Sequence, residues 1–213
     1  MTTFHTIAIP HDDILQGRLT MDIFAANLWD VYQSHAIDEY KEPDIFFQKT
    51  YQTDGLKNLL GVVKSRLTGH GGDPVLQLQT PFGGGKTHAL IALYHKSAEW
   101  GAKRIVMVGT SMDARETLWG LIEQQLTGKC EQFSQMTSPG RSEKFRDLIV
   151  NQGPVLMLFD ELLEYVTKAA GVKVADSTLA HQSISFIQEL TELVGTLSNV
   201  VLVVTLPDRK SVV

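Results

Sequence analysis

The stretch Thr80-Pro81-Phe82-Gly83-Gly84-Gly85-Lys86-Thr87 constrains this chain more than any other part of it. Three consecutive glycines open backbone conformations that side chains forbid, so main-chain N–H groups turn inward around an anion. The Lys86 ammonium adds a point charge able to reach β- and γ-phosphates, and the Thr87 hydroxyl faces a Mg²⁺ ion. An apolar run over residues 75–79 precedes the loop and a helix-forming run over 87–100 follows it. Strand, loop and helix in that order aim a helix N-terminus at the bound anion. The pattern G-x-x-x-x-G-K-[ST] fails at its first position, where Thr80 replaces glycine. The alternative is a glycine-rich turn that only joins strand to helix, and Lys-Thr directly after the glycines counts against it. Thr80, Pro81, Phe82, Gly83, Gly84, Gly85, Lys86, Thr87 and His88 are the expected nucleotide contacts, with ATP and Mg²⁺ as cofactors. For His88, a packed or surface histidine is the simpler reading.

A second chemical signal lies downstream. Val155-Leu156-Met157-Leu158-Phe159 is a solid apolar run that delivers Asp160-Glu161 to the end of a buried strand. Ligands of open α/β sheets sit at that edge. Asp160 is expected to hold Mg²⁺ together with Thr87, and Glu161 to act as general base on the attacking water. The simpler alternative makes Asp160 a helix cap and Glu161 a solvated first-turn acid. A further strand over residues 200–204 ends at Thr205, whose side chain is read as touching the γ-phosphate or orienting the water, or else as merely ending the strand. Lys86, Glu161 and Thr205 are therefore the expected catalytic set.

Around these motifs the apolar periodicity alternates. Strands are expected at 75–79, 104–108, 155–159 and 200–204, and helices at 87–100, 114–126, 142–151, 162–169 and 179–197. Residues 130–140 read as a polar loop. Short strands apolar on both faces belong to a parallel sheet covered by helices, which gives an α/β, three-layer P-loop NTPase architecture with a central, mostly parallel sheet. A helical N-terminal segment precedes it, with helices expected at 20–34 and 56–67 and Pro43 breaking the chain between them. The domain reading is an extension over 1–70, a nucleotide-binding core over 71–207, and a non-native tail over 208–213. Gln77 and Gln79 alternate with Leu76 and Leu78 and face either the site or a neighbouring helix, a structural role being the simpler reading.

Composition limits the rest. The 213 residues are 43% apolar and 20% charged, with net charge −5, which speaks against a dedicated nucleic-acid surface. A single cysteine, Cys130, excludes an internal disulfide and a cysteine-rich zinc site. The histidines show no metal-ligand spacing. The first residues carry no leader pattern and no apolar run reaches the roughly 20 residues of a membrane span, so a cytoplasmic protein without a membrane partner is expected.

The motifs TPFGGGKTHALIALYH, GTSMDARETLWG, PVLMLFDELLEYV, FIQELTELV and NVVLVVTLP, in that order, together resemble a family of large prokaryotic predicted AAA+ ATPases. That family is catalogued mainly as a domain of unknown function, and its members often stand beside DNA methylases and helicases in anti-phage gene clusters. The resemblance implies an AAA+ module of a longer, homo-oligomeric, nucleotide-driven machine, with DNA or DNA-modification proteins as partners. Lys86, Thr87, Asp160 and Glu161 take the usual AAA+ roles. It also implies a lid and an arginine finger after the last strand. Tyr51 and Thr53 fall where an N-terminal linker approaches the nucleotide base, although ordinary packing is the simpler reading for Tyr51. Two rival functions stand beside the ATPase: a nucleotide-gated switch with little turnover, and a small-molecule kinase, which Glu161 and Thr205 count against.

Overall fold

The computed structural model describes Gln16 and residues 26–80 and 83–207. Pro81, Phe82 and the tail 208–213 lie outside the described residues, as does the expected helix over its first part, 20–25.

Four strands form one parallel sheet: β1 (Val75–Thr80), β2 (Lys103–Val108), β3 (Val155–Asp160) and β6 (Val200–Pro207), in the order β1-β6-β3-β2. Alternate residues of each strand feed two separate cores. Ile105, Met107, Val155, Met157, Phe159, Val200 and Leu202 face α6 (Leu118–Thr127), α7 (Glu143–Val150), α8 (Leu162–Ala169) and α9 (Leu179–Thr196). Val106, Val108, Leu156, Leu158, Val201 and Val203 face α1 (Leu28–Tyr32), α3 (Pro43–Lys49), α4 (Asp54–Leu67) and α5 (Lys86–Glu99). The chain is thus an α/β protein with helices on both faces of a parallel sheet. Every residue of β3 is buried, and each such apolar side chain contributes about 1.5–3 kcal/mol. That burial is why an unbroken apolar run was needed there.

The described part of the N-terminal segment is integral to one layer. Leu28, Val31, Phe46, Val63 and Leu67 are all buried in the same cluster as Leu90, Val106 and Val203. Pro43 does not break this region. It occupies the first turn of α3, where its missing N–H costs nothing and its fixed φ suits a helix. The short α2 (Asp38–Lys41) precedes it.

Caps set the other boundaries. Thr53 accepts the Leu56 amide at 3.2 Å to start α4. The helix expected from 114 begins only at Leu118. Asp113 and Glu116 bond locally to main-chain amides instead, and Thr117 caps through the Gly120 amide. Polar side chains that satisfy nearby amides compete with helix formation. Residues 130–140 form no helix or strand, yet the segment is pinned at its start. Glu123 accepts the amides of Glu131, Gln132 and Phe133 at 2.8–3.1 Å, and Trp119 Nε1 donates to the Gln135 carbonyl. The small hairpin β4 (Lys173–Val174) and β5 (Ser177–Thr178) was not foreseen; two-residue strands carry no periodicity to read. Among the described residues, no helix is long and apolar enough to cross a membrane.

Candidate functional site

Because the four strands are parallel, their carboxyl ends share one edge. Thr80 pairs with Pro207, Leu78 with Thr205, and Val108 with Asp160. The glycine-rich loop, the acidic pair and Thr205 therefore converge there.

The loop turns through two left-handed glycines, Gly83 at φ 76° and Gly85 at φ 75°. A Cβ at either would meet nothing within 4 Å, so backbone conformation, not space, demands glycine at both. Gly85 is also the residue that admits the chain to α5. Lys86 opens that helix, and its Nζ donates to the Thr80 carbonyl at 3.0 Å. The ammonium thereby lies back across the loop. Thr87, next along, donates its hydroxyl to Asp160 Oδ2 at 2.8 Å.

Asp160 is 2% exposed and both its oxygens accept hydroxyls, since Thr205 Oγ1 donates to Oδ1. Thr205 lies within β6, which continues to Pro207, rather than at the tip expected from the sequence. It also accepts the Glu161 amide at 3.2 Å. Glu161 adopts left-handed φ 52°, ψ 32°, a conformation that costs a non-glycine residue about 1 kcal/mol. Its carboxylate accepts the Thr110 hydroxyl at 2.9 Å. Asp160 is thus not a helix cap: its oxygens serve Thr87 and Thr205, and α8 starts with no side-chain cap.

Three cavities meet here. One of about 210 Å³ is lined by Thr87, Thr110, Asp160, Glu161 and the Asn27 end of α1. Another of about 240 Å³ is bounded by Lys86, Glu161, Leu163 and Thr205. The third, about 540 Å³, lies on the other side of Lys86 between the glycine loop and the start of α4. Asp160 and Thr87 are the residues that could hold a hard divalent cation, since a carboxylate and a hydroxyl are both oxygen ligands. Among the described residues no cluster of three His, Cys, Asp or Glu side chains could hold a metal unaided.

Sequence reasoning placed Gly83, Gly84, Gly85, Lys86, Thr87, Asp160, Glu161 and Thr205, and the fold gathers all of them. Pro81 and Phe82 lie outside the described residues. Thr80 contributes its carbonyl. His88 turns away from the acidic pair to Thr50 and Phe46, in the lining of the 540 Å³ cavity. Tyr51 is not packed: it is 87% exposed and stands at the rim of that cavity. Gln77 and Gln79 are exposed and line it as well.

Two contributors were missed. Thr110 lies two residues past β2, and Gly109 between them packs so closely that an added Cβ would lie 2.0 Å from the Glu161 carbonyl oxygen. Lys168 of α8 then donates to the carbonyls of Gly109, Thr110 and Met112 at 2.8–3.1 Å. The Gly-Thr pair at the end of a buried strand was the available signal for the first; nothing in the sequence marked Lys168.

A family model for the DUF499 N-terminal domain, a domain of unknown function, matches residues 5–116, or 112 of the 213 residues. The match takes in the glycine loop, Lys86, Thr87 and Thr110, and ends before the acidic pair. No curated protein matches the chain.

Proposed function

The chain belongs to the DUF499 family, and from that premise we propose that it is a P-loop nucleoside triphosphatase of AAA+ type, binding ATP with Mg²⁺ and hydrolysing it. The observation that carries this reading is the 2.8 Å bond from Thr87 Oγ1 to Asp160 Oδ2. It joins two motifs 73 residues apart whose chemistry is useful only together.

The triphosphate lies against the amides of Gly83, Gly84 and Gly85 and the N-terminus of α5. Lys86 exchanges the Thr80 carbonyl for phosphate oxygen. Thr87 and Asp160 hold Mg²⁺, which when bound neutralises phosphate charge. Glu161 accepts a proton from the attacking water. Thr205 keeps Asp160 oriented by occupying its second oxygen. The nucleoside enters the 540 Å³ cavity under Tyr51. The sequence composition extends the proposal to a cytoplasmic protein, and resemblance alone extends it to a homo-oligomer acting on DNA beside DNA-modification proteins in anti-phage defence.

A second reading, a nucleotide-gated switch with little turnover, is favoured by one contact. The Thr110 hydroxyl already occupies a Glu161 carboxylate oxygen, and a base so engaged is slow until it is released.

Paired titration and turnover measurements test both. Lys86→Ala loses ATP binding. Glu161→Gln keeps binding and lowers turnover by about 100-fold or more. Undiminished ATP affinity in Lys86→Ala would contradict the site, and unchanged turnover in Glu161→Gln would leave the switch.

A further inference from the structure

His88 follows Thr87 in the first turn of α5, yet its side chain belongs to another part of the molecule. Its Nε2 lies 2.9 Å from Thr50 Oγ1. The Thr50 hydroxyl has one proton, and that proton goes to the Phe46 carbonyl at 2.6 Å. Thr50 therefore accepts, and His88 Nε2–H donates. The imidazole lies 4.6 Å from the Phe46 ring, centroid to centroid, and meets the edge of Tyr40. Phe46 itself is buried, so this anchor is fixed.

One residue beyond Thr50 is Tyr51, and the segment is fastened again at Thr53. The Thr53 amide donates to the Tyr51 carbonyl at 3.0 Å, and its hydroxyl caps α4. Between the two anchors the Tyr51 backbone is held while its ring is 87% exposed. An aromatic ring so exposed gains nothing from the protein core. It stands at the rim of the cavity lined also by Thr53, Leu56, Gly84 and Lys86. An exposed aromatic on a held backbone is a stacking platform for a planar ring, and holding that backbone in advance removes an ordering cost from binding.

We propose that His88 is a positioning residue: through its bond to Thr50 it sets the Tyr51 wall at a fixed place relative to the phosphate loop. It thereby governs affinity for the nucleoside half of ATP and not for the triphosphate half. The inference rests on the nucleotide-binding reading given above.

The test is calorimetric titration of the whole chain with Mg-ATP and, separately, with Mg-tripolyphosphate, which has the phosphates and no base. The wild type binds ATP more tightly than tripolyphosphate. Tyr51→Ala, Thr50→Val and His88→Phe each weaken ATP by about 5- to 10-fold and leave tripolyphosphate within about twofold. His88→Gln, which keeps a donor near the Nε2 position, restores most of the ATP affinity. The double variant Thr50→Val/His88→Phe is no weaker than either single, because both remove one bond. Equal losses for ATP and tripolyphosphate, unchanged ATP affinity in His88→Phe, or additive losses in the double variant overturn the inference. Should His88→Phe fail to fold, Thr50→Val on the half-buried partner decides alone. A wild type that binds both ligands equally overturns this inference and leaves the triphosphate site standing. A wild type that binds neither overturns the nucleotide reading as well.

Discussion

The hydroxyl of Thr205 donates to Asp160 Oδ1 at 2.5 Å, between the two central strands β6 and β3. Thr205 Oγ1 in turn accepts the Glu161 amide, so one small side chain holds both members of the acidic pair. Thr205 and Asp160 are each 2% exposed. Thr205→Val keeps the shape and removes both bonds, leaving a buried carboxylate oxygen of Asp160 without its donor and the part-buried Glu161 N–H without its acceptor. The expected loss is about 1–3 kcal/mol in urea unfolding, with Thr205→Ser much milder. ATP titration stays near wild type, while turnover falls about tenfold as Asp160 loses its orientation.

Two glycines distinguish close approach from mere helix filling. At Gly109 an added Cβ meets three backbone atoms of Glu161 and Leu162, the nearest at 2.0 Å. Backbone cannot swing aside as a side chain does, so Gly109→Ala displaces the Glu161 turn. It is expected to destabilise by about 3 kcal/mol. Gly61, exposed in the interior of α4, meets nothing within 4 Å. Gly61→Ala is expected to stabilise by about 0.5–1 kcal/mol. Thermal unfolding of the two variants, side by side, checks the contrast.

The sheet was legible because burial on both faces writes itself as unbroken apolar runs: Val155 to Phe159 are all fully buried. That Lys86, Thr87, Asp160 and Glu161 come together at one edge of the sheet was legible because each follows the end of an apolar run. What escaped was what polar side chains decide locally. The start of α6 moved because Asp113 and Glu116 bond to nearby amides, and α3 was hidden by a proline that starts it. The Thr110–Glu161 contact escaped for a different reason. It joins residues 51 apart through a hydroxyl, and a threonine after a strand has no distinguishing pattern until the strands are in register.

Lys168 supplies a further test of how Glu161 is held. Its ammonium spends three donors on the carbonyls of Gly109, Thr110 and Met112, tying the loop after β2 to the helix after β3. Lys168→Met keeps the aliphatic stem and loses the bonds. Amides 109–112 are expected to exchange hydrogen faster, with a stability loss of about 1–2 kcal/mol. Lys168→Arg, still a donor, recovers part of it. Unchanged exchange at these amides would show that the loop is held by packing alone.

His95 gives the chain a pH dependence whose sign follows from burial. The residue is 6% exposed and its Nε2–H donates to the Tyr40 carbonyl at 2.8 Å. Desolvation among Phe46, Phe47 and Tyr94 pushes its pKa below the ordinary 6.5. The Tyr40 carbonyl and Glu42 pull it up and Arg104 pushes it down, and burial prevails. The unfolded chain therefore takes up a proton at His95 before the folded one does. Stability from this residue is complete above about pH 6.5 and falls as the pH drops through the interval between the unfolded and the depressed folded pKa. Urea midpoints taken from pH 7.5 to 5.5 are expected to decline for the wild type. His95→Gln keeps a donor for Tyr40 but does not titrate, so its midpoints decline less over the same range. An identical slope in the two proteins would place the acid sensitivity elsewhere.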